Sequence, residues 1–267
     1  MLNSDIEKDV ENKVEEKCDI KNNNIFNELE PIDLFNQMLN YIMKKNKISN
    51  NPTTYYSNIR IYGVNIIKSI CKQYNLNDKV YHSSINLLDE LYINKKYSED
   101  IQKVSFVCLI ITIKMIEKGD YSVKLIDYII QNHKLNFYSF FERDIIQIMN
   151  YEIIFYSAFD ILSFLLQNGI IFTPEKEYLK KYNINVKNVY FNCFQYLNKL
   201  VEKKIFIKFH PIEIAFSIIS LIREIYGLTD IHILFERIYH FQFDNHEKCL
   251  QNLKSKIKIK KVIKSSM

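Results

Sequence analysis

Four side chains in the last third of the sequence are the candidates for a metal site: His232, His240, His246 and Cys249. His246 and Cys249 lie three residues apart and could share one face of a helix. Zinc sites, however, are usually built from closely spaced pairs at both ends of the ligand set, and the two upstream histidines are dispersed. The spacing therefore favours polar residues on a helix surface, and we predict no metal site.

Motifs for covalent, acid–base or phosphate chemistry do not occur in the sequence. It contains no G-x-S-x-G, G-x-x-x-x-G-K or H-E-x-x-H run and no EF-hand loop. Glu175 and Glu177 form a carboxylate pair, but they stand in a polar stretch, where we expect both to be solvated. Paired acids serve catalysis when burial separates their pKa values, and nothing in this stretch indicates burial. We predict a protein that is not an enzyme and uses no cofactor.

The composition excludes several classes of protein. The chain has 267 residues, 48% of them hydrophobic, with four Gly and four Pro. It can fill a sizeable core, and it lacks the glycines of collagen or of phosphate-binding loops. The net charge is +5 and only four residues are Arg, so we predict no direct contact with nucleic acid. We also predict no membrane segment, because no run of about 18 apolar residues occurs.

The five cysteines are far apart and include no C-x-x-C pair. Several fall inside apolar periodic segments, which predicts reduced thiols in the core of an intracellular protein. They are Cys18, Cys71, Cys108, Cys193 and Cys249.

Apolar residues recur at helical spacing through most of the chain, which predicts an all-α fold. In the first half we predict helices over about 59–74, 81–92, 98–118, 123–131 and 137–149. In the second half we predict helices over about 159–166, 186–202, 210–227, 228–240 and 246–257. The third helix of each set is very apolar and should lie at the centre of a bundle. The pattern therefore predicts a tandem pair of five-helix bundles.

An additional helix is predicted near the N-terminus, where Leu34, Met38 and Tyr41 recur at helical spacing. The stretch before it is polar and has no apolar face, and the stretch after the last helix is basic. The predicted organisation is a polar tail over 1–24, an N-terminal helix and linker over 25–52, a first bundle over 53–154, a second bundle over 155–257 and a basic tail over 258–267.

Particular residues within this pattern resemble the cyclin family. The run YHSSINLLDELY (81–92) is similar to the second helix of a cyclin box, with His82, Asn86 and Asp89 at the family's positions. The run IQKVSFVCLIITIKMIEKGD resembles the buried third helix, and FERDIIQIMNYEIIFYSAFDILSFLL resembles the fifth helix and the crossing into the second box. Residues 58–74 line up with the first helix, and 32–43 with the extra N-terminal helix of mitotic-type cyclins. The resemblance covers about 30–257 and is stronger in the first box than in the second.

The resemblance implies a regulatory subunit that binds and activates a cyclin-dependent Ser/Thr protein kinase and has no catalytic residues of its own. Lys114 and Glu142 match the family's Lys and Glu, which hydrogen-bond to the kinase near its helix C. An ion pair that only stabilises the bundle is the alternative role, and the two roles are compatible. Apolar neighbours would form the floor of the kinase-binding surface: Ile111, Met115, Ile146, Tyr151 and Ile153.

The family's substrate-docking patch is matched only in degenerate form. The matching positions hold Ile59, Arg60, Gly63 and Ile66, with Gln102 on the third helix. Ile66 stands where the family has Trp, and the chain contains no Trp. Without that flat ring, a groove for a docking peptide should be shallower or absent.

Two other functions stay open at this point. One is a promoter-binding factor of the general transcription factor IIB type, which also uses two such bundles but requires a zinc ribbon and a strongly basic face. The other is an interaction protein that kept the fold and lost kinase activation. The resemblance leaves open which kinase is bound and whether the role lies in cell division or in transcription, as for cyclin H. We expect a heterodimer with the kinase, with or without an assembly factor, in the nucleus and cytoplasm.

Overall fold

The computed structural model describes residues 52–117, 119–153, 156–167, 169–231 and 246–256. Within these ranges every regular element is a helix and no residue lies in a β-strand, which confirms the all-α prediction there. The predicted N-terminal helix and both predicted tails fall outside the described residues. None of the described helices is long and apolar enough to cross a lipid bilayer.

The first part of the described chain folds into α1 (Thr54–Gln73), α2 (Asp78–Ile93), α3 (Ile101–Ile116), α4 (Asp120–Asn132) and α5 (Tyr138–Ile148). Thr53, Asn77 and Asp100 cap the first three helices, because each side chain accepts a backbone N–H of the first turn. The helices predicted for this half are all present. The largest difference is the start of α1, which begins at Thr54 rather than at about Ile59.

Helix α3 lies at the centre of the first core. Every residue from Val104 to Ile113 is buried, and α1, α2 and α5 pack against the helix. Ser105 and Thr112 are polar residues in this stretch, and their hydroxyls donate to backbone carbonyls 2.6 and 2.7 Å away within the same helix. The helix can therefore be buried on all sides without leaving a hydroxyl group unpaired.

The second part of the described chain forms α6 (Ala158–Gln167), α7 (Thr173–Lys181), α8 (Val186–Leu200), a 3₁₀ turn (Lys204–Ile207), α9 (Pro211–Ile225) and α10 (His246–Lys256). Helix α9 is buried from Ile212 to Arg223 and lies at the centre of a second core. Pro211 occupies the first turn of α9, as its place in the sequence predicts. Gly227 follows the helix with a φ of 67°, a conformation that glycine adopts without strain.

Helix α7 is not predicted by the sequence pattern. Leu179 is the buried residue of this described helix, and most of the other side chains are charged, so there is no apolar period to detect. The expectation that Glu175 is solvated is wrong, because its side chain is 12% exposed and pairs with the fully buried Arg223. Glu177 is exposed, as expected. The helix predicted over 228–240 lies mostly outside the described residues.

The cysteines of the described ranges are buried and unbridged: Cys71, Cys108, Cys193 and Cys249. Burial raises the pKa of the Cys71 and Cys249 thiols to about 12, so both stay protonated at neutral pH. The four side chains therefore behave as small apolar residues of the two cores. The fifth cysteine, Cys18, falls outside the described residues.

Polar contacts join the two halves of the described chain. Arg60 on α1 donates from Nη1 to the backbone carbonyl of Val201 at 2.7 Å. His82 on α2 donates from Nε2 to Oδ1 of Asn198 at 2.6 Å, and its ring stacks on Phe159 with the centroids 5.2 Å apart. Three further polar contacts cross the same joint: Lys68 with Glu202, Lys79 with Asp160, and Lys204 with Asn58.

The buried imidazole of His82 should make the joint sensitive to acid. Burial lowers the pKa of His82 below its ordinary value of 6.5, although the hydrogen bond with Asn198 and the carboxylates of Asp78 and Asp160 oppose the shift. The unfolded chain then binds a proton that the folded chain does not bind. The contribution of His82 to the free energy of unfolding is therefore fully present above about pH 6.5. Below that pH the free energy of unfolding decreases, by up to about 1.4 kcal/mol per pH unit.

This prediction is checked by urea unfolding of the wild type and of His82→Gln between pH 8 and pH 5. Glutamine does not titrate in this range, so the variant should lose the part of the acid slope that His82 contributes. If the free energy of unfolding falls equally steeply with pH in the two proteins, the pKa of His82 is not lowered in the folded state.

Candidate functional site

The structure brings Lys114 and Glu142 together at the surface of the first bundle. Lys114 lies in the last turn of α3, and Glu142 lies in the first half of α5. The ammonium Nζ donates to both carboxylate oxygens, at 2.7 and 3.0 Å. The two side chains are 42% and 19% exposed, so solvent or a partner reaches both. The sequence places these residues 28 positions apart, and only the packing of α5 on α3 makes them neighbours.

Tyr138 completes this charged cluster. Its hydroxyl donates to Glu142 at 2.5 Å and accepts a hydrogen bond from the Lys114 ammonium, which lies 4.9 Å from the centre of the Tyr138 ring. Sequence reasoning missed Tyr138, although its position four residues before Glu142 on a predicted helix was an available signal. We call Lys114, Tyr138 and Glu142 the rim cluster.

The electrostatics of the rim cluster keep Lys114 charged. Partial burial disfavours the ammonium, but hydrogen bonds to Glu142 and Tyr138 outweigh it and raise the pKa of Lys114. Burial, followed by the hydrogen bond to Glu142, raises the pKa of Tyr138. The position of Lys114 in the last turn of α3 also places its positive charge at the negative end of the helix. The carboxylate accepts three hydrogen bonds and has room for about one more, so the cluster can accept a further hydrogen bond. The Lys114 ammonium already donates to three oxygen atoms, so it donates to a partner by exchanging one of these contacts.

The apolar residues predicted around this cluster differ in their exposure. Tyr151 is 74% exposed and Met115 is 43% exposed, while Ile146 and Ile153 are half-buried. Ile111 is only 3% exposed and packs in the first core, so it lies beneath the surface rather than on it, which corrects its predicted place. Met115 and Ile153 also line a cavity of about 190 Å³ between α2, α3 and the segment after α5.

The residues assigned to a docking patch do not form one surface. Gln102 is exposed and Ile59 and Ile66 are half-buried, but Arg60 and Gly63 are buried. A Cβ atom on Gly63 would lie 2.7 Å from the hydroxyl oxygen of Ser105, closer than real atoms approach. Gly63 therefore allows α1 to pack tightly on α3. It has a structural role in the first bundle.

Arg60 takes part in a buried ion pair that the sequence analysis did not foresee. Its guanidinium donates to both oxygens of Asp89, at 2.7 and 2.8 Å, and to the carbonyl of Val201. The Tyr56 hydroxyl donates to the same carboxylate at 2.5 Å. Arg60 is 2% exposed, so this group supports the bundle from inside and offers no surface to a partner.

No group of three or more His, Cys, Asp or Glu side chains within the described ranges is placed to hold a metal ion. Two of the candidate ligands, His232 and His240, fall outside those ranges. Cys249 is buried against the second core.

The comparison with known families concerns the part of the chain that carries the rim cluster. The family model described as the cyclin N-terminal domain matches residues 32–155, a range that contains α1 to α5. This part of the chain belongs to the cyclin family. The chain as a whole is similar in fold to a solved viral cyclin from herpesvirus saimiri, with a TM-score of 0.55 over 87% of this chain and 96% of that chain. The two sequences are 14% identical, and a search of curated proteins finds no match.

Proposed function

We propose that this chain is a non-catalytic subunit that binds and activates a cyclin-dependent Ser/Thr protein kinase. The observation that carries the proposal is the rim cluster, in which a charged ammonium and a carboxylate stay accessible at the surface of a cyclin domain. Exposed apolar side chains lie near the same two helices: Met115 follows Lys114 on α3, and Tyr151 lies three residues after the end of α5.

The mechanism follows from differential binding. A protein kinase is active only when the lysine of its third strand pairs with the glutamate of its helix C. A partner that binds the inward position of helix C more tightly than the outward position shifts the population toward the active form. Lys114 can donate to a backbone carbonyl of that helix by exchanging one of its three internal hydrogen bonds, and Glu142 can accept from a backbone N–H group. Met115, Ile146 and Ile153 contact the apolar face of that helix.

We also propose the domain arrangement that accompanies this function. The first bundle, over 53–154, carries the kinase-binding surface, and the second bundle, over 155–257, supports it across the joint formed by Arg60 and His82. Residues 25–52 add an N-terminal helix to this tandem pair of five-helix bundles. The complex is a heterodimer, with or without an assembly factor, and acts in the nucleus and cytoplasm in cell-cycle or transcriptional control.

Exchanging the two charges of the rim cluster tests the proposal. The double variant Lys114→Glu/Glu142→Lys can keep an internal ion pair, but it presents each charge where the kinase expects the opposite one. We expect kinase activation to fall by about thirtyfold or more, since a mispaired charge at an interface costs about 2 kcal/mol or more. The measurement is the phosphorylation rate of the kinase that co-precipitates with the wild-type chain from native cells.

The matched control is Lys124→Glu/Asp127→Lys, which exchanges the same charges at two exposed positions of α4. The control should activate like the wild type, and both variants should keep the helical circular dichroism spectrum. If the rim variant also activates like the wild type, the kinase does not bind at Lys114 and Glu142.

A further inference from the structure

A large cleft lies between the two halves of the molecule, on residues that the rim cluster does not use. Its volume is about 990 Å³. One wall is formed by the end of α1 and the start of α2, and the other by the end of α8 and the residues that follow it. The cleft is therefore built by both halves, and its shape depends on the joint that holds them together.

The lining of the cleft carries an excess of positive charge. Four lysines and two acids contribute to it: Lys68, Lys72, Lys199, Lys203, Asp78 and Glu202. Lys68 pairs with Glu202, and the Lys199 ammonium lies over the ring of Tyr196. Lys72 and Lys203 are exposed and have no ion-pair partner among the described residues. Two ammonium groups are thus free to bind an anion.

Tyr81 adds a buried donor that has no acceptor. The residue lines the cleft and is 7% exposed, and its hydroxyl has no hydrogen-bond partner in the part of the chain that the structure describes. Burial raises the pKa of Tyr81, so the hydroxyl keeps its proton at any physiological pH. A buried donor without an acceptor is rare in folded proteins and costs about 1–3 kcal/mol. An oxygen-rich ligand would remove that cost.

We propose that this cleft binds a phosphorylated segment of a partner polypeptide, through Lys72, Lys203 and the hydroxyl of Tyr81. A phosphate dianion offers acceptor oxygens to both ammonium groups and to the hydroxyl at once. The carboxylate of Asp78 in the same wall repels a ligand with many negative charges and attracts a basic side chain beside the phosphate. The side-chain amides of Asn75 and Gln195 supply donors and acceptors for a peptide backbone.

The test uses a degenerate peptide library with a fixed central phosphoserine, immobilised for surface plasmon resonance, and the same library with serine. We expect the full-length chain to bind the phosphoserine library and to bind the serine library at least about tenfold more weakly. Lys72→Glu/Lys203→Glu should reduce binding to the phosphoserine library by about tenfold or more. Tyr81→Phe keeps the ring and removes only the hydroxyl, so it should reduce binding by about fivefold or more.

The matched control is Lys124→Glu/Lys187→Glu, which changes the net charge equally at two exposed lysines outside the cleft. It should bind like the wild type. The proposal would be overturned if the chain bound the two libraries equally. It would also be overturned if the control and Lys72→Glu/Lys203→Glu lost the same amount of binding to the phosphoserine library. Inorganic phosphate that competes as well as a free phosphoserine peptide would overturn the peptide assignment in favour of a free anion. Because the cleft variants leave the rim cluster intact, kinase activation reports separately on the proposed function.

Discussion

Replacing Arg60 with methionine should reduce the free energy of unfolding by about 3–5 kcal/mol. The guanidinium makes hydrogen bonds to both oxygens of Asp89 and to the carbonyl of Val201, all of them buried. Methionine fills part of the volume but donates to none of these acceptors. The Asp89 carboxylate, which is 8% exposed, then stays buried with the Tyr56 hydroxyl as its remaining partner. The cost therefore comes mainly from the charge that the substitution leaves without a counter-ion.

Urea unfolding followed by far-ultraviolet circular dichroism measures this loss. The double variant Arg60→Met/Asp89→Asn removes the uncompensated charge while keeping an acceptor for Tyr56, so it should recover part of the loss. Arg143→Met makes the same substitution at an exposed position and should change stability by no more than about 0.5 kcal/mol. If Arg60→Met lowers the free energy of unfolding no more than Arg143→Met does, the buried pair of Arg60 and Asp89 does not stabilise the fold.

Periodicity predicted the helices that have an apolar face and missed the helix that does not. Helices α3 and α9 are buried along ten or more consecutive residues, and their sequences are apolar on nearly every side. Helix α7 begins at Thr173, and Pro174 and Glu175 in its first turn are start signals, but the helix buries little beyond Leu179. Its position depends on the ion pair between Glu175 and Arg223, a contact between residues 48 positions apart. No local pattern encodes such a contact.

The sequence also identified some of the important charged residues correctly and misplaced others. Lys114 and Glu142 were identified by resemblance to a family, because no rule of spacing connects residues on two different helices. The resemblance placed Arg60 in a docking patch on the surface, yet its side chain faces inward to Asp89. The sequence shows which residues are charged. Only the packing of α1, α2 and the segment after α8 shows which charges are buried together.

Replacing Arg223 with methionine should destabilise the second core by a similar amount, about 3–5 kcal/mol. The side chain is fully buried and donates to Glu175, to the carbonyl of Thr229 at 2.8 Å and to the carbonyl of Ile170. Its guanidinium also lies 5.5 Å from the centre of the Phe172 ring. One side chain thus holds the turn before α7 and the turn after α9 against the core. Its loss should be visible as a lower midpoint in urea unfolding.

Glutamine substitutions at two glutamates separate the buried pair from an ordinary surface pair. Glu175→Gln leaves the Arg223 guanidinium buried without a counter-ion, although the carbonyls of Thr229 and Ile170 still accept from it. The loss in the free energy of unfolding should therefore approach but not exceed that of Arg223→Met. Glu224→Gln breaks an exposed pair with Lys254, whose side chains are 45% and 38% exposed, and should cost less than about 1 kcal/mol. If the two glutamine variants unfold at the same urea concentration, the ion pair between Arg223 and Glu175 does not position α7.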